Sequence, residues 1–421
     1  MATYKLNTAT DTTWEINESG SIWILGKDGS ITGTDIDGIA TVGAYAAATV
    51  RINGGIDLDG SVSRGAYLES EIGAITVGET GHVSAAFVGL CYNNSLGTVT
   101  IDNAGLLQAQ YGIAASVKQG MTHIGNVGHI QASNFGIYET GAGAEIVNSG
   151  AIKADGGIRV SNGLSDENPL WADKATHIEN SGKITGADNA IEAVGVAANI
   201  RNTGMLNGDV LLGDGDDVLD TRGGTINGAI YFGAGNDMLD GRKATINGAI
   251  FGELGDDVVT LASAAQVFVE EAAQGNDTVR INATYLLGEN IENLTLLGKA
   301  NHTGIGNVHA NILTGNKGAN TLFGLEGGDR LDGGRGNDTL MGGTAADVFV
   351  FKAGYGKDTI GDFEQGADHI DLTDFQFGNV NDIPIAKIGD NLVITLSDTD
   401  TLIIRDGAVN NVTLDAGDFY L

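Results

Sequence analysis

Four consecutive nine-residue segments, which together span residues 315–350, constrain this chain more than any other part of it. They read GNKGANTLF, GLEGGDRLD, GGRGNDTLM and GGTAADVFV, and they share the pattern G-G-x-G-x-D-x-U-x, in which U is apolar. Glycine permits a tight backbone turn, and the last three positions predict a short strand with one inward side chain. Two segments complete one coil, so segments of the same parity should stack. The predicted inward residues are Leu322, Leu331, Leu340 and Phe349.

The sixth position of each segment carries a side chain with an oxygen ligand, namely Asn320, Asp329, Asp338 and Asp347. The turned backbone offers its carbonyl oxygens as well, and Ca²⁺ prefers hard oxygen ligands of both kinds. Stacked aspartates repel each other, and one apolar residue in nine buries little surface, so a cation is needed to close such coils. A flexible Gly/Asp-rich linker is the alternative, but four copies in register favour calcium.

A second repeat, twenty residues long, precedes the nonapeptides. Residues 201–220, 221–240 and 241–260 align as RNTGMLNGDVLLGDGDDVLD, TRGGTINGAIYFGAGNDMLD and GRKATINGAIFGELGDDVVT, and a fourth copy, 261–280, keeps only its second half. Each copy ends in a nonapeptide-like loop that contains glycine and aspartate. Because these loops recur once per coil, we expect them to stack on one edge and to leave gaps for calcium.

The predicted calcium ligands belong to both sets of loops. We expect ions between loops 315–320 and 333–338, between loops 324–329 and 342–347, and between successive twenty-residue copies, about five or more in total. The glycines and oxygen-bearing side chains assigned to these sites, with two aspartates that follow the nonapeptides, are Gly213, Gly215, Asp217, Gly233, Gly235, Asp237, Gly255, Asp257, Gly275, Asp277, Gly315, Gly318, Asn320, Gly324, Gly327, Asp329, Gly333, Gly336, Asp338, Gly342, Asp347, Asp358 and Asp362.

Residues 1–200 repeat more loosely, with an element I-x-N-x-G-x-I that recurs about every 21–27 residues. Period-two alternation and the absence of helical periodicity predict parallel strands with one face inward, which is a parallel β-helix. The asparagines of this element hold one place in successive coils. A surface ladder that binds a ligand and an internal stack of hydrogen-bonded amides are the two interpretations, and the residue type favours the stack. These asparagines are Asn103, Asn126, Asn148, Asn180 and Asn202.

The nonapeptides, followed by the stretches ADVFVF at 346–351 and DTIGDF at 358–363, resemble the RTX β-roll of type I-secreted bacterial proteins. Serralysin-type proteases and mannuronan epimerases carry similar modules. The resemblance covers about the last third of the chain. It implies calcium binding, export by type I secretion machinery and an extracellular location, but no particular activity, since unrelated proteins share the module.

Together these patterns predict an all-β protein: a parallel β-helix, or β-solenoid, that runs into an RTX calcium-binding parallel β-roll with a C-terminal β cap. The predicted segments are 1–200 for the β-helix, 201–282 for the twenty-residue repeats, 283–350 for the β-roll, and 351–421 for the cap and export signal. The first residues, MATYKLN, contain no secretory signal peptide. With the RTX resemblance, we therefore expect export to use an uncleaved C-terminal signal, and the ending AGDFYL resembles the ends of such substrates.

Charge and composition exclude several partners. The net charge of −32 argues against binding to nucleic acid or to anionic membranes, and no apolar run is long enough to span a bilayer. The acids concentrate near the predicted metal sites, where calcium would neutralise part of the charge. Cys91 is the only cysteine, so an intrachain disulfide is impossible, and we expect it to be a small buried residue.

Enzymatic activity is the less favoured alternative. Many β-helices of this size cleave or epimerise acidic polysaccharides, but such sites need acids and bases in concert, and the histidines here show no metal-ligand spacing and no nucleophile motif. We assign no catalytic residue. The coil around 161–177 is too long, and its Trp171 and Lys174 make it either a sugar-binding loop or a tolerated surface insertion, of which the insertion is favoured.

The sequence therefore predicts a secreted, calcium-binding structural or adhesive β-solenoid, such as a matrix, surface-layer or filament subunit that calcium folds and stiffens after export. Its expected partners are calcium, the type I secretion machinery, and either copies of itself or a cell-surface glycan. An extracellular polysaccharide lyase or epimerase on the same scaffold is the alternative.

Overall fold

The computed structural model describes residues 2–34, 36–41, 45–59, 61–94, 97–117, 120–141, 143–161, 175–405 and 414–421. These residues form strands and three short 3-10 helices, Thr373–Phe375, Val380–Asp382 and Ala416–Asp418. Within the described ranges, no helix has the length and apolar character needed to cross a membrane. The predicted all-β class is confirmed.

The chain divides into two compact units, residues 1–251 and 252–421. The boundary falls within the predicted twenty-residue repeats, and the division into four segments stays a prediction. In each unit, successive coils pair in parallel, as a β-solenoid requires.

One side of the first unit is a single stack of parallel strands, each of which comes from one coil. Neighbours pair in register, so that Ile146 lies opposite Ile178, and Ile178 opposite Ile200. The strands of this stack are Thr3–Leu6, Ser21–Leu25, Tyr45–Ile52, Ser70–Val77, Val99–Asn103, Thr122–Asn126, Ala144–Asn148, Thr176–Asn180, Ala198–Asn202, Val218–Asp220 and Met238–Asp240.

The other side of the first unit changes along the chain. The first coils contribute two short strands each, the middle coils one long strand with a register shift, and the last coils two short strands again. The short strands of the first coils are Ala9–Thr10, Trp14–Ile16, Ser30–Thr34, Asp37–Thr41, Gly55–Asp59, Arg64–Leu68, His82–Ser84 and Val88–Asn94. The long strands are Leu106–Val117, His129–Gly141, Ala151–Ser161, Lys183–Val194 and Met205–Leu211, and the last short ones are Thr225–Ile226, Ile230–Tyr231, Thr245–Ile246 and Ile250–Phe251.

The core of the first unit follows from period-two alternation. In the strand Thr176–Asn180, for example, Ile178 is fully buried while His177 and Glu179 face solvent. The expectation that Cys91 is buried is wrong, because its side chain is only partly buried. Its neighbours Leu90 and Tyr92 both face the core, so the phase of the strand turns Cys91 outward.

The predicted asparagine stack is confirmed as an internal ladder. The Nδ2 of Asn103 donates to Oδ1 of Asn126 at 2.8 Å, and the same bond links Asn126 to Asn148 (2.7 Å), Asn148 to Asn180 (2.7 Å) and Asn180 to Asn202 (2.8 Å). All five side chains are buried. The amides therefore satisfy one another from coil to coil, which leaves no ladder on the surface for a ligand.

The second unit contains two parallel stacks. The first consists of Val258–Leu261, Thr278–Ile281, Asn293–Leu296, Ile312–Thr314, Arg330–Asp332, Val348–Val350, His369–Asp371 and Phe419–Tyr420. The second consists of Tyr285–Leu286, Thr303–Ile305, Thr321–Glu326, Thr339–Thr344, Lys357–Ile360 and Thr401–Arg405. A further short strand is Phe268–Val269.

The C-terminal strands cap the second stack. Thr401–Arg405 pairs in parallel with Lys357–Ile360, and Asn391–Thr395 and then Ile385–Ile388 add to it in antiparallel order. The parallel solenoid thus ends in an antiparallel meander, and this agrees with the predicted β cap.

Candidate calcium sites

The nonapeptide segments stack by parity, as predicted. Leu322 pairs with Leu340 in one stack, and Leu331 pairs with Phe349 in the other, so each coil contains two segments. All four of these predicted inward side chains have no exposed surface. This register brings loop 315–320 next to loop 333–338, and loop 324–329 next to loop 342–347.

The aspartates of these loops form hydrogen-bonded columns between coils. Oδ1 of Asp329 accepts from the backbone N–H of Asn311 at 2.7 Å, Oδ1 of Asp338 from that of Asn320 at 2.7 Å, and Oδ1 of Asp347 from that of Asp329 at 2.8 Å. The second oxygen, Oδ2, of Asp329, Asp338 and Asp347 is buried and has no hydrogen-bond partner. A buried carboxylate oxygen without a partner is costly, and a bound cation removes that cost.

The first glycine of each segment makes the space into which this second oxygen points. A Cβ at Gly324 would lie 2.1 Å from Oδ2 of Asp329 and 2.5 Å from the carbonyl oxygen of Gly342. A Cβ at Gly342 would lie 2.1 Å from Oδ2 of Asp347. Only glycine therefore allows a carboxylate and a neighbouring carbonyl to share this space, and these are the two ligand types that calcium takes from a protein.

Burial changes the acidity of these carboxyl groups. It raises the pKa of Asp329 and of Asp358 to about 7, and that of Asp338 and of Asp347 to about 6. Nearby aspartates raise the pKa further, as Asp347 does for Asp329. The charged form is thus disfavoured when no cation is bound, so a cation and folding are expected to be coupled.

The twenty-residue repeats use the same arrangement. In the first unit, Oδ1 of Asp217 accepts from the N–H of Ala198 at 2.5 Å, and Oδ1 of Asp237 accepts from the N–H of Asp217 at 2.6 Å. Oδ2 of Asp217 is buried without a partner, and burial raises the pKa of Asp217 to about 8 and that of Asp237 to about 7. In the second unit, Oδ1 of Asp277 accepts from the N–H of Asp257 at 2.9 Å.

Two of the predicted ligands, Asn320 and Asp362, have different surroundings, whereas a third, Asp358, resembles the other aspartates. Oδ1 of Asn320 accepts from the N–H of Asn316 at 2.7 Å, so this amide closes its own loop. The two oxygens of Asp362 accept from the amides of Gly342 and Gly343 at 3.0 and 3.1 Å. Oδ1 of Asp358 accepts from the N–H of Asp338 at 2.9 Å and thus continues a column.

Two acidic residues outside the predicted set join these arrangements. Oδ1 of Asp368 accepts from the N–H of Asp347 at 3.0 Å and extends that column by one coil. Glu270 lies beside Asp257 and Asp277, and one carboxylate oxygen of each of the three lies within 4.8 Å of the others. A search for acids at coil spacing would have found Asp368. Glu270 has no place in the repeat pattern, so only the fold identifies it.

The long coil at 161–177 bears on the enzymatic alternative. Trp171 and Lys174, which would belong to the less favoured sugar-binding loop, lie outside the described residues. Two of the histidines pair with exposed acids of a neighbouring coil: His82 with Asp57 at 2.9 Å, and His123 with Glu145 at 2.7 Å.

Comparison with known families agrees with this geometry. A family model for the RTX calcium-binding nonapeptide repeat matches residues 305–340 and 314–349, with four copies. No curated protein sequence matches the chain. The matched residues contain the glycine turns of the nonapeptides and Asp329, Asp338 and Asp347.

Proposed function

Since the chain carries RTX calcium-binding nonapeptide repeats on a parallel β-solenoid, we propose that it is a secreted structural or adhesive protein that calcium folds and stiffens outside the cell. The observation that carries the proposal is the set of buried, partnerless carboxylate oxygens in the two aspartate columns, at Asp329, Asp338 and Asp347. Calcium is submicromolar inside cells and millimolar outside, so a chain that needs it at several sites completes its fold only after export.

The regularity of the coils favours a structural role over catalysis. In the middle of the first unit, strands are separated by turns of two residues, at 181–182 and at 203–204. Among the described residues of this region, these turns are too short to wall a substrate groove. The regular flank that these short turns form among the described residues suits repeated contacts, either with further copies of the chain or with an extended polymer.

A basic groove in the first unit supports the adhesive form of the proposal. Arg201, Arg222, Arg242 and Lys243 line it, with Asp220 as the acid. Arg222 pairs with Asp220 and Arg242 with Asp240, both at 2.6 Å, and Arg201 lies 3.9 Å from Glu179, so the four cations outnumber the three acids that pair with them. On a chain with a net charge of −32, a local cationic surface fits an anionic glycan that carries carboxylate or sulfate groups.

The test uses the purified full chain with calcium or with chelator. We expect ordered sheets or filaments in electron micrographs, or retention on a surface coated with an anionic glycan, in calcium only and with no change to the glycan. For retention, the double variant Arg222→Ala/Arg242→Ala should lose binding, while Arg280→Ala, which removes an exposed charge elsewhere, should keep it. Cleavage or epimerisation of the glycan, or a chain that neither assembles nor adheres, would contradict the proposal.

A further inference from the structure

Glu270 is a buried acid that the repeat pattern does not explain. Its side chain is only 6% exposed, and neither carboxylate oxygen has a hydrogen-bond partner. The backbone on both sides of it is held, because the N–H of Gly252 donates to the carbonyl of Val269 at 3.3 Å and Nδ2 of Asn290 donates to the carbonyl of Glu270 at 3.1 Å. The inward direction of this carboxylate is therefore part of the fold.

The chain makes room for this carboxylate at Gly252. In the two preceding twenty-residue copies, the equivalent residues are Leu212 and Phe232, and both are fully buried core side chains. The third copy has glycine instead, and a Cβ there would lie 1.8 Å from Oε1 of Glu270 and 2.6 Å from Oδ2 of Asp257. The third copy therefore lacks the large apolar side chain of the other two, and the carboxylates of Glu270 and Asp257 lie next to this position.

Acidic groups surround Glu270. Burial is the main factor that disfavours its ionised form, and the neighbouring carboxylates of Asp277, Asp257, Glu292 and Glu253 disfavour it further. Oδ2 of Asp277 is also buried without a hydrogen-bond partner. Acids in this arrangement repel one another unless a cation lies between them.

We propose that Glu270 joins Asp257 and Asp277 of the twenty-residue repeats to bind a calcium ion in the interior of the second unit, outside the nonapeptides 315–350. The inference rests on the calcium binding proposed above and adds Glu270 as a third side-chain carboxylate, which the repeat pattern does not supply. The site lies outside the residues matched by the RTX repeat.

The ligand types select calcium among common divalent ions. Three carboxylates supply only oxygen, whereas zinc favours histidine and cysteine. Carboxylates bind Ca²⁺ through one or both oxygens, so three of them supply up to six ligand atoms, and magnesium instead retains several waters in a strict octahedron. A buried site with three acids therefore fits Ca²⁺ best.

The test counts calcium ions bound to the full chain by equilibrium dialysis and follows thermal unfolding in calcium and in chelator. Glu270→Gln should bind one ion fewer than the wild type. It should also unfold at a higher temperature than the wild type in chelator, since a buried, repelled carboxylate is gone, and it should gain less from calcium. A merely structural role for Glu270 would lower the unfolding temperature in both conditions.

Two further variants control the count. Glu271→Gln removes the adjacent exposed carboxylate and should bind as many ions as the wild type. Gly252→Ala keeps Glu270 but places a methyl group where its carboxylate lies, so it should lose the same ion. If Glu270→Gln or a folded Gly252→Ala binds the full number, this inference is wrong while the proposed calcium-dependent fold stands. If the wild type binds no calcium, both are wrong.

Discussion

The asparagine ladder of the first unit and the aspartate columns of the second differ in how their buried polar side chains obtain hydrogen-bond partners. Both stack one polar side chain per coil in the interior. An amide donates and accepts, so each asparagine satisfies the next and the ladder closes by itself. An ionised carboxylate only accepts, so Asp329, Asp338 and Asp347 each accept one backbone N–H and keep a second oxygen without a hydrogen-bond partner. The amide ladder therefore needs no further component, whereas the carboxylate columns need a cation.

The largest expected effect is selective loss of structure in chelator. We expect the backbone amides of residues 315–350 to lose protection from hydrogen exchange when calcium is removed from the full chain, because their buried carboxylates are then unpaired. Amides of the strands that carry Asn103 to Asn202 should stay protected. Equal protection of both regions in calcium and in chelator would contradict the comparison.

A carboxylate placed in the asparagine ladder should be harmful. Asn148→Asp loses the donor to Asn180 and buries a charge at a fully buried position, so we expect it to lower the free energy of unfolding by about 3 kcal/mol. Asn148→Ala is the control for the lost bond alone and should cost about 1–2 kcal/mol. Denaturant unfolding of the first unit measures both. A neutral effect of the aspartate would show that the ladder tolerates charge.

The reverse exchange should weaken one calcium site. Asp338→Asn keeps the size of the side chain and removes the charge, so we expect about a tenfold loss of calcium affinity at that site, or about 1.4 kcal/mol. Because the unpaired charge is also gone, the variant should be more resistant to chelator than the wild type. Calorimetric titration measures the affinity, and unchanged binding would remove Asp338 from the ligand set.

The smallest expected effect, when counted per pH unit, is a pH dependence in the first unit. Glu139 is buried beside Thr122, and burial raises its pKa from 4.5 to about 8. Between pH 4.5 and 8, the folded state therefore keeps a proton on Glu139 that the unfolded chain releases. The contribution of this proton to the free energy of unfolding is fully present below pH 4.5 and is lost as the pH rises towards 8. We expect stability to fall by about 1 kcal/mol per pH unit in that window.

Glu139→Gln tests this source of pH dependence. The variant should flatten the profile of unfolding temperature against pH between 5 and 8, while Glu79→Gln, which changes an exposed acid, should leave it unchanged. An equal slope in Glu139→Gln and in the wild type would place the dependence elsewhere.

The sequence alone determined most of the architecture, because the spacing of each repeat gives the length of a coil and its apolar position identifies the side chain that faces the core. The nine-residue spacing of Leu322, Leu331, Leu340 and Phe349 was enough to predict two segments per coil, and the asparagines were enough to predict a ladder. Repetition makes such predictions secure, since every copy meets the same neighbours in the coils above and below it.

Only the tertiary structure decided features that belong to a single copy. The alternation of one strand turns Cys91 outward, although cysteine is a residue type that is usually buried. The amides of Gly342 and Gly343 occupy both oxygens of Asp362, while the second oxygen of Asp347 stays partnerless. Glu270 enters the interior because Gly252 replaces a core side chain in one copy. A repeat pattern averages over its copies, so a site made by an exception to the pattern emerges only when the chain is folded and distant residues meet.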